Sequence, residues 1–248
     1  MPTSRREVPA LTPVLHMLED AAMQQIADDV WHVPLAPRNS VNAYILGDVL
    51  IDAGHKVMGG KAVAAARARG VTSHALTHAH LDHAGGSPRV IRELGLDGLA
   101  VGALDAPAVR DGGSEPPPHV AGPLQGIARL IGRFPASPVA RELREGDLIG
   151  PGFVVLDVPG HSPGHIAFWR ESDRLLIAGD VFFNMNPLTT VPGLRQPLKA
   201  PTSDPALNRR SMRRIAELEP KIVGFGHGPV VQDAAAKLAA AVARLPRE

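Results

Sequence analysis

His78, His80, Asp82 and His83 set three imidazoles and a carboxylate within six consecutive positions, in the stretch "LTHAHLDHAGG". Residues i and i+2 of an extended chain point the same way, so His78 and His80 converge on one point. Asp82 and His83 follow where the chain turns and can face a neighbouring point. Neutral imidazole and carboxylate suit zinc, and also iron or manganese. The chain has no cysteine, which removes thiolate zinc sites, disulfides and a cysteine nucleophile together. A nitrogen and oxygen donor set leaves a bound ion Lewis-acidic and open to water, the condition of a catalytic site rather than a structural one.

Further donors recur where apolar runs stop. "GFVVLDV" runs into "PGHSPGH" with His161 and His165, "RLLIA" into "GD" with Asp180, and "KIVGF" into "GHGP" with His227. Each donor sits beside glycine, which permits a sharp turn and close approach. Sites on layered sheets gather beyond strand ends, where loops meet over a rigid scaffold.

The elements that must position these loops alternate between strand and helix patterns. Thr12 to Asp29 reads as a helix, with Pro13 in its first turn and Leu15, Met17, Leu18, Ala22 and Ile26 at near-helical spacing. "DVWHVPL" and "NAYILGDVLIDAG" read as strands, the second with a tight Gly47-Asp48 turn. Helices are expected over Lys61 to Arg69, Ser87 to Leu94, Ser211 to Leu218 and Asp233 to Leu245, and short strands at "SHALTH" and "GLAVGAL". Asp111 to Pro138 breaks the pattern: "DGGSEPPPHVAGP" and "FPASP" flank a short helical piece, and so long an irregular segment reads as a lid or substrate loop. The alternation indicates a layered α/β domain.

Bulk composition excludes several classes. A hydrophobic fraction of 44% over 248 residues supports one globular domain spanning 1–248. A net charge of +1 gives no basic face on average for nucleic acid, which leaves room only for a local arginine patch. No secretory signal and no run of about 20 apolar residues is present in the sequence, so no membrane association and a cytoplasmic location are expected.

Taken together, "NAYILGDVLIDAG", "THAHLDHAGG", "PGHSPGH", "LLIAGD" and "FGHGP" resemble the metallo-β-lactamase superfamily, in its motif order and over Asn42 to Pro229. The resemblance implies a four-layer αββα sandwich with a two-metal site between the sheets; the N-terminal helix lies outside the motifs, so 1–28 is expected to be a helical extension. It implies that His78, His80 and His161 hold the first ion, that Asp82, His83 and His227 hold the second, and that Asp180 bridges them. Zinc is the expected metal, with iron or manganese as the other choices. A water or hydroxide between the ions would attack a small-molecule substrate, with Asp82 helping to orient it. His165 and Asp52 are expected to support the ligands from behind by hydrogen bonds. Phe182, Phe183, Met185 and His119 are candidates for the pocket, and a homodimer is one assembly to test.

The departures from known members narrow the chemistry. Members with a cysteine ligand are excluded. Glyoxalase II is similar in all seven ligands but carries a helical C-terminal domain, and few residues follow His227. Lactonases of the family use a tyrosine soon after the bridging aspartate, where this chain reads "GDVFFNMNP". A hydrolase of a small ester, lactone, thioester or phosphoester is therefore expected. The alternative is an oxidoreductase similar to persulfide dioxygenases, with one iron on His78, His161 and Asp180.

Overall fold

The computed structural model describes residues 23–113 and 116–246. Seven strands lie in sequence order in a first sheet: β1 (Gln24–Ala27), β2 (Val30–Pro34), β3 (Asn42–Leu46), β4 (Val49–Ile51), β5 (Ser73–Ala75), β6 (Leu99–Gly102) and β7 (Val139–Leu143). The first four form an antiparallel meander. From β4 onward the pairing is parallel, and parallel neighbours require crossovers. These are supplied by α1 (Gly59–Ala68), by α2 (Leu81–Ala84) with α3 (Ser87–Leu94), and by α4 (Ala106–Asp111) with α5 (Pro123–Ile131).

The second sheet contains β8 (Leu148–Ile149), β9 (Phe153–Asp157), β10 (Ile166–Arg170) and β11 (Leu175–Ile177). A separate hairpin of β12 (Phe183–Met185) and β13 (Pro192–Arg195) follows, then α6 (Pro205–Glu217), β14 (Ile222–Gly224), β15 (Val231–Gln232) and α7 (Ala234–Ala243). The sheet order is β15-β14-β11-β10-β9-β8.

Strand alternation explains the layering. In β3, Tyr44 and Leu46 join the core between the sheets, while Ala43 and Ile45 face the cluster containing Ala62 and Val63 of α1. In β10, Ile166 and Phe168 face inward, while Ala167 and Trp169 pack with Met212 of α6 and Leu238 of α7. Each sheet thus buries both faces, and the layers run helix, sheet, sheet, helix, the αββα sandwich read from the motifs.

Two expectations change. The helix expected over Thr12 to Asp29, and with it the helical extension 1–28, fails at its described end: Gln24–Ala27 is strand β1, paired antiparallel with β2. Asp29, at φ 51°, helps turn the chain between them, and Ile26 and Ala27 pack on the inter-sheet core. Pairing and burial override a helical spacing that rests mostly on residues outside those described. The helix expected from Ser211 begins at Pro205 instead, because Asp204 caps it, accepting from the amides of Ala206 and Leu207 at 2.9 Å. Within the segment from Asp111 to Pro138, α4 runs to Asp111 and α5 takes the place of the short helical piece expected there.

Candidate metal centre

Every sequence-selected donor sits at the same edge of the sandwich. His78 and His80 follow β5 on extended backbone, and Asp82 and His83 lie on the single turn of α2. His161 precedes β10, Asp180 follows β11, and His227 follows β14. His80 Nδ1 lies 3.0 Å from both His78 Nε2 and His161 Nε2. Asp180 Oδ2 lies 3.4 Å from His83 Nε2, 3.4 Å from His161 Nε2, 3.2 Å from His227 Nε2 and 3.9 Å from His78 Nε2. Asp82 Oδ2 stands 3.2 Å from His227 Nε2. Donor atoms therefore gather into three overlapping groups, His78–His80–His161, His78–His83–Asp180 and Asp82–His83–His227. The backbone must come close for this: a Cβ on Gly226 would collide with Asp180 Oδ1 and with His83.

The hydrogen bonds behind the rings decide which nitrogen faces inward. Thr77 Oγ1 donates to Asp52 Oδ2 at 2.8 Å, so at 3.0 Å it accepts from His78 Nδ1. Thr202 Oγ1 donates to the Leu198 carbonyl at 2.7 Å, so at 3.0 Å it accepts from His161 Nδ1. His227 Nδ1 donates to the Ser40 carbonyl at 2.5 Å, and His83 Nδ1 to Asp52 Oδ2 at 2.8 Å. All four rings carry their proton on Nδ1 and aim Nε2 at the centre, the arrangement by which outer partners orient metal-binding histidines.

Burial and charge set the protonation of these groups. Burial drives His78 well below the ordinary imidazole range and His80 to about 3. Burial is the largest single influence on His227 and His83 too and opposes protonation, but two carboxylates together outweigh it by charge and hydrogen bonding: Asp180 with Asp82 raises His227 to about 10, and Asp180 with Asp52 raises His83 well above its usual value. Burial also opposes ionisation of Asp180 and Asp82, yet the imidazoles around them hold both carboxyls below the usual range. Meanwhile His83 Nε2, His227 Nε2 and Asp180 Oδ1 are buried without a hydrogen-bond partner. Buried polar atoms left unmatched are costly, and a divalent cation among them would satisfy all three. The donor set fits such an ion.

The supporting residues fall as follows. Asp52 binds the Thr77 amide, the Thr77 hydroxyl and His83 together, each at 2.8 Å. His165 Nε2 accepts from the Asp180 amide at 3.0 Å, and its ring stacks on His78 with centroids 4.7 Å apart. Phe183 lies against His227, ring centroids 4.5 Å apart. Phe182 is fully buried in the core under α6 and α7, Met185 is buried in β12, and His119 is exposed ahead of α5. Several further supports were not singled out in the sequence. Asn42 donates to the carbonyls of Phe225 and Gly228, Tyr44 donates to Phe225, and Thr202, Ser40 and Asp105 hold ligand loops from distant parts of the chain. Asn42 and Tyr44 lie within the motif "NAYILGDVLIDAG", the one signal that could have found them, whereas Thr202, Ser40 and Asp105 lie in none of the quoted motifs.

The family profile of the metallo-β-lactamase superfamily matches residues 36–227, and the chain belongs to that superfamily. It is 29% identical over 198 residues to the probable metallo-hydrolase YflN of Bacillus subtilis, covering 73% of this chain and 75% of that one. It is 28% identical over 174 residues to a hydroxyacylglutathione hydrolase of Methylobacterium nodulans, covering 68% of this chain and 53% of the enzyme. Among solved structures, TTHA1623 in a di-iron-bound form superposes with a TM-score of 0.61 at 29% identity, over 82% of this chain and 95% of the other.

Proposed function

We propose that the protein is a hydrolase working with two divalent ions, zinc first among them. His78, His80 and His161 would hold one, Asp82, His83 and His227 the other, and Asp180 would be shared. The observation that carries this reading is the position of Asp180 Oδ2, a single carboxylate oxygen 3.2–3.9 Å from four imidazole nitrogens drawn from both groups. Bound ions of this kind lower the pKa of a water to about 7 and polarise a substrate oxygen.

The chain's own residues do the rest. Asp82, with a side chain 41% exposed beside nearly buried His227, marks the open side from which substrate approaches. Its depressed pKa keeps it anionic through the neutral range, so it orients a water by accepting a hydrogen bond. Phe183 shields His227 and His161 from solvent on the other side. The loop between β12 and β13 exposes Leu188 and Val191, and its first strand is tied to the centre by the Asn184 amide donating to the His227 carbonyl at 2.8 Å. We infer a substrate with an apolar part around a hydrolysable carbonyl or phosphoryl group, and a lid role for the segment from 111 to 138. The named activity of the hydroxyacylglutathione hydrolases puts thioesters at the head of the substrate panel.

Elemental mass spectrometry of protein purified without added metal tests this reading, followed by a panel of thioesters, lactones, esters and phosphodiesters. The expected result is about two zinc per chain and at least one panel member turned over in a chelator-sensitive way. About one iron per chain, with oxygen consumed in the presence of persulfides, would overturn it in favour of the oxidoreductase.

A further inference from the structure

Asp105 occupies the N-cap position of α4 and does not cap it: its side chain makes no bond to the helix. An aspartate there ordinarily accepts from the first helical amides. Its carboxylate is turned instead toward two loops. Oδ2 accepts from the Ala79 amide at 2.8 Å and from the Ser162 hydroxyl at 2.6 Å, and Oδ1 accepts from the Gly164 amide at 2.7 Å. The residue is 2% exposed; burial pushes its pKa above the usual carboxylate value, and the three neighbours, all of which donate, oppose that rise. Ala79 lies between His78 and His80, and Ser162 follows His161. The three donors of the first candidate ion thus hang from loops that one buried carboxylate joins.

The approach is tight by necessity. A Cβ on Gly164 would stand 2.9 Å from Asp105 Oδ1 and closer still to the Asp105 amide, so only glycine allows the clasp. The arrangement mirrors Asp52, which accepts from the Thr77 amide at 2.8 Å. The amides of Thr77 and Ala79 flank His78, and a different buried carboxylate grips each.

We propose that Asp105 is a positioning residue for the His78–His80–His161 site: it fixes the spacing of the two loops, and its charge behind them favours a cation in front. The proposal rests on the two-ion reading above. The test is metal affinity, not turnover. Wild type, Asp105→Asn and Ser162→Ala are loaded with zinc and titrated with a chromophoric chelator. The same titration is run in a His227→Ala background, where the other site is crippled. Asp105→Asn should weaken one binding step by about 10–100-fold, the range seen when outer partners of ligands are removed, and leave the other unchanged. Ser162→Ala should weaken the same step by less. The weakened step should persist in the His227→Ala background. Wild-type affinity in both variants overturns the proposal, and so does an equal loss at both steps tracking a lower melting temperature of the metal-free protein. Should Asp105→Asn not fold, Ser162→Ala decides alone. Wild type that takes up no ion would sink the two-ion reading itself, whereas two ions with unaltered variants would sink only the role of Asp105.

Discussion

Asp180 is the residue on which both donor groups depend, because one of its oxygens faces imidazoles from each. Asp180→Ala should lose metal and lower turnover by roughly a hundredfold or more, since Lewis-acid stabilisation is worth several kcal/mol; elemental analysis and kcat/KM check this, and full turnover in the variant would remove the shared role. Asp180→Asn keeps the shape and removes the charge, so it should retain the fold and still lose affinity for metal. The seven donors were legible in the sequence because apolar runs stop at His and Asp in glycine-bearing loops, and such loops beyond strand ends are where ligands gather. Thr202 and Asp105 were not, for a physical reason. Each acts through one hydroxyl or carboxylate on a loop far away in sequence: Thr202 stands 41 positions from His161, and Asp105 stands 57 positions from Ser162. Locally, "LDAPAV" reads only as the start of a helix.

Among the elements, α5 is the one whose place the packing does not explain. None of its residues is buried, and Leu124, Ile127, Leu130 and Ile131 are more than half exposed. A helix of nine residues has little stability of its own, and apolar side chains in water contribute nothing to a core. Replacing Leu124, Ile127 and Leu130 with glutamine should shift the melting temperature by no more than about 3–6 °C, since each exposed substitution costs within about 0.5 kcal/mol. If the segment closes over an apolar substrate, the same variant raises KM while kcat/KM for a small polar substrate stays level. Equal effects on both substrates would remove the lid role. Elements resting on strong period and punctuation, such as α3 with Pro88 in its first turn and Gly95 at φ 69°, were readable in place. The short hairpin β12–β13 and strand β1 were not. Each spans only three or four residues and owes its form to a partner rather than to local pattern.

At the scale of the whole molecule, the centre joins the two sheets. His78, His80, Asp82 and His83 hang from the first sheet through β5, while His161, Asp180 and His227 hang from the second through β9, β11 and β14. Ions held across that seam would stabilise the sandwich by mass action, about 2.7 kcal/mol for one ion at a hundred times its dissociation constant. Removal of metal by a chelator should therefore lower the melting temperature by at least about 5 °C in a chain of this size. The gap should also depend on pH. In the metal-free protein His227, raised to about 10, is protonated against Asp180, and that contribution is complete below pH 6.5 and fades as pH rises through about 10. Bound metal needs the same imidazole neutral, so uptake releases a proton and tightens as pH climbs through that window. The metal-free protein should thus weaken between pH 7 and 10 while the loaded protein holds, and the difference in melting temperature should widen. Calorimetry in buffers of unequal ionisation enthalpy reads the proton directly: because His83 is raised as well, a release on zinc binding at pH 8 that shrinks in His227→Ala supports the assignment of His227 as a ligand, and a release unchanged in that variant removes it.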